Sequence, residues 1–149
     1  MNIAIESPDQ PDVIALIAEL DAYQDTLYPS ESRHALELSA LKQSNVVFVV
    51  ARDARQRAVG CGAVVLEPAY GELKRMYVAP ENRGQGIAKA VLAMLESSAK
   101  SARCERIALE TGPYQPEALA FDARRGDTRC RSFGNYWDDP LSVFMEKPL

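Results

Sequence analysis

The segment Leu73-Lys74-Arg75-Met76-Tyr77-Val78-Ala79-Pro80-Glu81-Asn82-Arg83-Gly84-Gln85-Gly86-Ile87-Ala88 runs out of a strand, around a proline and through two glycines into a helix. Downstream, Ile87, Ala88, Val91, Leu92, Leu95 and Ala99 recur at helical spacing, while Lys89, Glu96 and Lys100 fall off that face. Upstream, apolar and β-branched runs predict strands over 46–52, 58–66 and 72–78. Polar turns over 53–57 and 67–71 separate them, so the three read as an antiparallel meander. Gly60 and Gly62 are expected to weaken the middle strand locally.

Farther out, residues 2–6 predict a strand. A helix then starts through Pro8-Asp9-Gln10-Pro11-Asp12, with prolines and acids where free backbone N–H groups favour them. Val13, Leu16, Ile17 and Leu20 continue it at helical spacing. Tyr28-Pro29-Ser30 breaks the pattern, and Ser30 or Ser32 can cap a second short helix through Leu41. After the central helix come a strand over 106–110 and a turn at Thr111-Gly112-Pro113. A helix over 115–125 follows, with Pro116 near its start and Gly126 at its end. Two weak strands are expected near 128–131 and 142–146. The order β, αα, βββ, α, β, α, ββ specifies one α/β domain over residues 1–149, built around a central sheet.

With 149 residues, 47% of them hydrophobic, the chain can bury a core without disulfides or a structural metal. Lys+Arg number 17 against 21 Asp+Glu, a net charge of −4, which argues against nucleic acid as a partner. Cys61, Cys104 and Cys130 are odd in number and widely spaced, and are expected as buried or half-buried thiols. His34 is the single histidine, so neither a metal site nor a catalytic triad is expected. The start of the chain lacks a basic signal-peptide region. The longest strongly apolar run, 46–51, is far short of the roughly 20 residues of a membrane helix. A cytoplasmic setting away from membranes is expected.

Gly84 and Gly86 allow backbone N–H groups to approach a ligand closely. The helix start adds unpaired N–H groups and a positive dipole end, and Arg83 adds a full charge. Together they suit a phosphate or pyrophosphate; on the glycines alone, a plain tight turn is the alternative. No Gly-Lys-Ser/Thr follows, which excludes a P-loop. The third glycine of a dinucleotide fingerprint is also missing.

Arg83-Gly84-Gln85-Gly86-Ile87-Ala88 fits the Arg/Gln-x-x-Gly-x-Gly/Ala signature of the GNAT superfamily of N-acetyltransferases. The preceding strand, the proline turn and the element order of nearly the whole chain resemble that fold. Its sheet joins an antiparallel N-terminal meander to a splayed parallel pair, flanked by helices. Leu109-Glu110-Thr111-Gly112 and Gln115-Pro116-Glu117-Ala118 resemble a bacterial subgroup of small members. Some of that subgroup carry the label indole-3-acetic acid acetyltransferase. The resemblance implies acetyl-CoA as donor, its pyrophosphate on the backbone of Arg83, Gly84, Gln85, Gly86, Ile87 and Ala88. It implies that the pantetheine arm pairs along Met76, Tyr77 and Val78. Gln115 stands where the family often has an asparagine that contacts that arm. Homodimers are common in the family.

Acyl transfer to an amine needs the neutral nucleophile. For a lysine-like amine of pKa about 10.4, neutrality at pH 7 costs roughly 4–5 kcal/mol, so a base is useful. By resemblance Glu72 is the candidate, with Glu110 and Glu67 as weaker ones; a solvated strand-end carboxylate is the alternative reading of Glu72. A backbone N–H near 76–78 can stabilise the oxyanion. The family usually supplies a tyrosine to protonate the thiolate, and here Asp122 holds that position, with Asp127 replacing a usual aromatic. Asp122 can donate only if protonated, which needs a strongly raised pKa; Tyr77, Tyr114 or water are substitutes. Tyr28 and His34 on one side and Tyr136 on the other are the candidate acceptor contacts. The nearby acids Asp138 and Asp139 suit a small cationic or aromatic amine. The acceptor is expected to be a primary amine of a small molecule or peptide. A catalytically weakened acyl-CoA-binding regulatory module is the non-enzymatic alternative. A nucleotide-binding domain is a third, disfavoured by the missing Lys-Ser/Thr.

Overall fold

In the computed structural model the residues described are 1–27, 37–111, 128–130, 133–134 and 143–149. They form β1 (Asn2–Ile5), α1 (Pro11–Leu27), α2 (Leu38–Leu41), β2 (Val46–Arg52), β3 (Ala58–Leu66) and β4 (Tyr70–Val78). A 3-10 turn (Pro80–Asn82), α3 (Ile87–Ser101), β5 (Arg106–Thr111), β6 (Thr128–Arg129) and β7 (Val143–Pro148) follow. The seven strands lie in the order β1-β2-β3-β4-β5-β7-β6. Every neighbouring pair is antiparallel except β4 and β5, which are parallel. This is the expected mixed sheet, an antiparallel meander joined through β4 to a parallel neighbour.

Two apolar layers sandwich the sheet. On one face α3 inserts Ile87, Val91, Leu92, Leu95 and Ala99 against Val49, Val64, Leu73 and Ile107. On the other, α1 sets Val13, Leu16 and Ile17 against Phe48, Val50, Cys61 and Ala63. Alternate residues of β2 and β3 thus serve opposite layers, as the two-residue period of a strand requires. Fully burying one such aliphatic side chain contributes about 1.5–3 kcal/mol. Arg52 ties the sheet edge to the head of α1. Its Nε donates to Glu6 Oε2 at 3.1 Å and its Nη1 to Asp12 Oδ2 at 2.6 Å. These bonds hold the Glu6 and Asp12 carboxyls below their usual range.

Some expectations need correction. Gly60 and Gly62 do not interrupt β3, which runs from Ala58 to Leu66; both are buried beneath α3, and the ladder to β4 is irregular at Gly62. A Cβ on Gly60 would lie 2.8 Å from Ile87 Cγ2. β4 begins at Tyr70, so Tyr70 and Gly71 belong to the ladder, opposite Arg106 and Ile107, and not to the turn. The strand expected to be weak over 142–146 is β7, which pairs with β5 from Val143 to Pro148. Of the second short helix, Leu38–Leu41 is described. The expected helix over 115–125 lies outside the described residues. Among the described residues, no helix is long and apolar enough to cross a membrane.

Candidate active site

The site is built on β4, whose two halves have different neighbours. From Tyr70 to Leu73 it is laddered to β5, ending at Leu73↔Leu109. From Lys74 to Val78 it has no ladder on that side among the described residues, while β3 still pairs with Tyr77 and Val78 through Cys61 and Gly60. The strands splay here, and an edge of main-chain polar groups opens between them.

A β-bulge sits at the splay. β3 passes from Cys61, opposite Tyr77, to Ala63, opposite Lys74, so Arg75 and Met76 together face Gly62. Arg75 takes the left-handed conformation, φ 58°, which a non-glycine residue adopts rarely. The extra residue resets the alternation. Leu73 and, three residues on, Met76 and Val78 belong to the α3 layer, whereas Tyr77 belongs to the α1 layer. Arg75 turns to α1, where its side chain is only 8% exposed and Nη1 pairs with Asp21. The Cys61 thiol donates to the Arg75 carbonyl at 3.3 Å, fixing the bulge from the neighbouring strand.

β4 leads into the glycine turn. The Ala79 N–H donates to Val59 O at 2.8 Å and Arg83 Nε to Val78 O at 3.1 Å. The Arg83 guanidinium also lies 5.7 Å from the centre of the Tyr77 ring. Gly84 and Gly86 have φ 79° and 78°, and Gly86 caps α3 without any side-chain bond. A Cβ on either would meet nothing within 4 Å. These glycines therefore answer to backbone conformation and leave their outer side clear. The first intrahelical acceptor is the Gly86 carbonyl, bonded by Ala90 N–H. Among the described residues none accepts from the N–H groups of residues 84–89. They form an open row of donors at the positive end of α3, capable of holding a pyrophosphate.

Glu72 is not a solvated strand end. It lies on β4 opposite Ala108, two residues before the bulge, and Lys74 Nζ is 3.1 Å from its Oε2. Both side chains are 12% exposed. Glu110 follows Leu109, the last laddered residue of β5, and by strand periodicity shares the face of Glu72 and Lys74. Glu67 bonds Tyr70 through its backbone, at the opposite end of β4 from the splay. Tyr77 holds its phenol beside Glu19 of α1; burial and then that carboxylate raise its pKa. Burial pushes the Cys61 thiol up to about 12 and raises Cys104 as well. Asp122, Gln115, Tyr28, His34 and Tyr136 lie outside the described residues. Sequence reasoning missed the bulge, Arg75 and its partner Asp21. The available signal was Leu73 and Met76, two apolar residues three apart in a strand, which implies one residue too many for strict alternation.

A cavity of about 370 Å³ lies between α1, α2 and the bulge, with Arg75 in its wall.

The acetyltransferase (GNAT) family profile matches residues 13–126. An IAA acetyltransferase of Azospirillum brasilense is 45% identical over the whole chain and 98% of that protein. The uncharacterized N-acetyltransferase YsnE of Bacillus subtilis is 33% identical over the full length of both chains. The crystal structure of a proposed acyl-CoA N-acyltransferase from Klebsiella pneumoniae superposes with a TM-score of 0.84 at 42% identity, covering 99% of this chain and 97% of that one. With its splayed β4, glycine turn and sheet order, the chain belongs to the acetyltransferase (GNAT) family.

Proposed function

We propose that the protein transfers the acetyl group of acetyl-CoA to a primary amine of a small molecule or peptide by direct attack on the thioester. The observation that carries this reading is the row of N–H groups over 84–89, open on its outer side and continuous with the unladdered edge of β4. In this reading the pyrophosphate rests on residues Arg83 to Ala88 and the pantetheine arm runs along Met76–Val78. The thioester then lies at the bulge. An N–H of that edge stabilises the oxyanion in a site fixed by the Arg75–Asp21 pair and by Cys61.

The cysteines support direct transfer over an acetyl-cysteine intermediate. Cys61 and Cys104 are buried, and the half-buried Cys130 has its thiol pKa raised by burial and by Glu146, so all three stay protonated at neutral pH and none provides a thiolate. Glu72, oriented by Lys74, takes the amine proton directly or through water, with Glu110 beside it on the same face. Water can protonate the departing thiolate, since Asp122 stands at the usual tyrosine position. The test is Glu72→Gln, with thiol release followed across pH at saturating acetyl-CoA. The rate should fall about tenfold to a hundredfold at low pH, where the amine arrives protonated, and less at high pH. An unchanged pH profile would remove Glu72 from the mechanism.

A further inference from the structure

The cavity between α1, α2 and the bulge carries its own chemistry. Its apolar wall is Ile14, Ile17, Leu38 and Leu41. Ile14 is 40% exposed, one of the few large apolar side chains left in water among the described residues. Three charges interrupt this wall: Asp21, Arg75 and Glu37. Arg75 and Asp21 pair with each other, which leaves Glu37 as the net charge among the described residues of the lining. Glu37 is exposed at the head of α2, and no cation among the described residues forms an ion pair with it. The cavity touches β4 at the bulge residue, just past Leu73, where the ladder to β5 ends.

The geometry points to this cavity as the acceptor pocket, and to an acceptor that is a monoamine with an apolar body and no carboxylate. This rests on the transferase reading above. The volume lies within the range of small-molecule pockets, and such walls bind an aliphatic or aromatic body. A carboxylate on the acceptor would meet Glu37, and Arg75 already has Asp21 as its partner. Among the described residues of the lining, a polyhydroxylated polycation would find one net negative charge and few hydrogen-bonding groups, and would leave its own polar groups unsatisfied. Glu37, exposed at the rim, draws the ammonium form in. The amine then gives up a proton, its nitrogen bonds the thioester carbonyl carbon and the C–S bond breaks. Acetyl-CoA and R-NH3⁺ become the N-acetyl amine, CoA-SH and one released proton.

The test measures CoA thiol release with phenethylamine, phenylalanine and kanamycin as acceptors, alongside calorimetric titration of acetyl-CoA. Phenethylamine should exceed both others in kcat/KM by about tenfold or more. Glu37→Gln should lower kcat/KM for phenethylamine several-fold at low ionic strength, and the difference should close at high salt. Ala18→Trp, which fills the cavity from an exposed position on α1, should raise KM for phenethylamine about tenfold and leave acetyl-CoA affinity unchanged. Preference for phenylalanine or kanamycin, or variants that act like wild type on phenethylamine, would overturn the pocket assignment while the transferase reading stands. Binding of acetyl-CoA with no turnover of any of the three amines would bring down the transferase reading and this inference with it.

Discussion

Gly62, in the floor beneath α3, and Gly86, at the head of the same helix, look alike in the sequence and have opposite surroundings. A Cβ on Gly62 would press on the Met76 sulfur and lie 2.9 Å from Val91 Cγ1 and 3.0 Å from Leu95 Cδ1. A Cβ on Gly86 would meet nothing within 4 Å, yet its φ of 78° resists any other residue. The first glycine is set by protein packed against it. The second is set by backbone conformation beside open space, the arrangement needed if a ligand supplies the missing neighbour. One region of the molecule is finished by folding; the other, on the proposed function, is finished by binding.

Substitutions at the two glycines should separate these roles. Gly86→Asp puts a carboxylate at the proposed pyrophosphate site. Acetyl-CoA affinity should fall at least a hundredfold, about 2.8 kcal/mol, while the folded fraction stays near wild type, since aspartate tolerates the left-handed region better than most residues. Calorimetry with a thermal melt on the same sample checks both. An equal loss of stability and affinity would erase the distinction between the glycines. Gly62→Ala should show the reverse. Overpacking against α3 should cost about 1–3 kcal/mol of stability, read by denaturant unfolding, and the protein that remains folded should bind acetyl-CoA as before.

Much of the fold was legible because its strands and α3 have clean periods. The strands over 46–52 and 58–66 and the start of α3 at Ile87 coincide with the observed elements. The glycine turn was legible as a turn because two glycines follow a proline and lead into an amphipathic helix, and both take the left-handed conformation. What the sequence hid were features made by elements meeting. Gly60 and Gly62 give no sign in the sequence that α3 lies over them. Glu72 could be named as a candidate base, with a solvated strand end as the alternative, but its pairing with Lys74 and its enclosure could not be read. Arg75 looks like a second surface cation beside Lys74 until the bulge turns it onto Asp21. The apolar alternation breaks there by a single residue, and one residue is a small signal against a strand's ordinary variation.

The smallest predicted effect sharpens the comparison from a third region, the Arg52 cluster remote from the turn. Hydrogen bonds from Arg52 lower the folded-state pKa of Glu6 and Asp12 below the ordinary carboxylate values. Such groups stabilise the fold above those values, and the contribution is lost as pH falls through the lowered folded values. Unfolding free energy should therefore decline between about pH 5 and 3. Glu6→Gln should start lower at the upper end and decline less, so that the two curves converge. Parallel curves would show that Glu6 is not part of the acid response. Gly86→Asp should leave the slope unchanged.

The central claim is that the N–H row over 84–89 and the open edge of β4 are completed by the donor. Amide hydrogen exchange, compared with and without acetyl-CoA, tests it residue by residue. Exchange should slow at the amides of 84–88 and along 74–78, and stay unchanged in β1 and β2. Binding of acetyl-CoA that leaves the amides of 84–88 exchanging at their free rate would contradict the account.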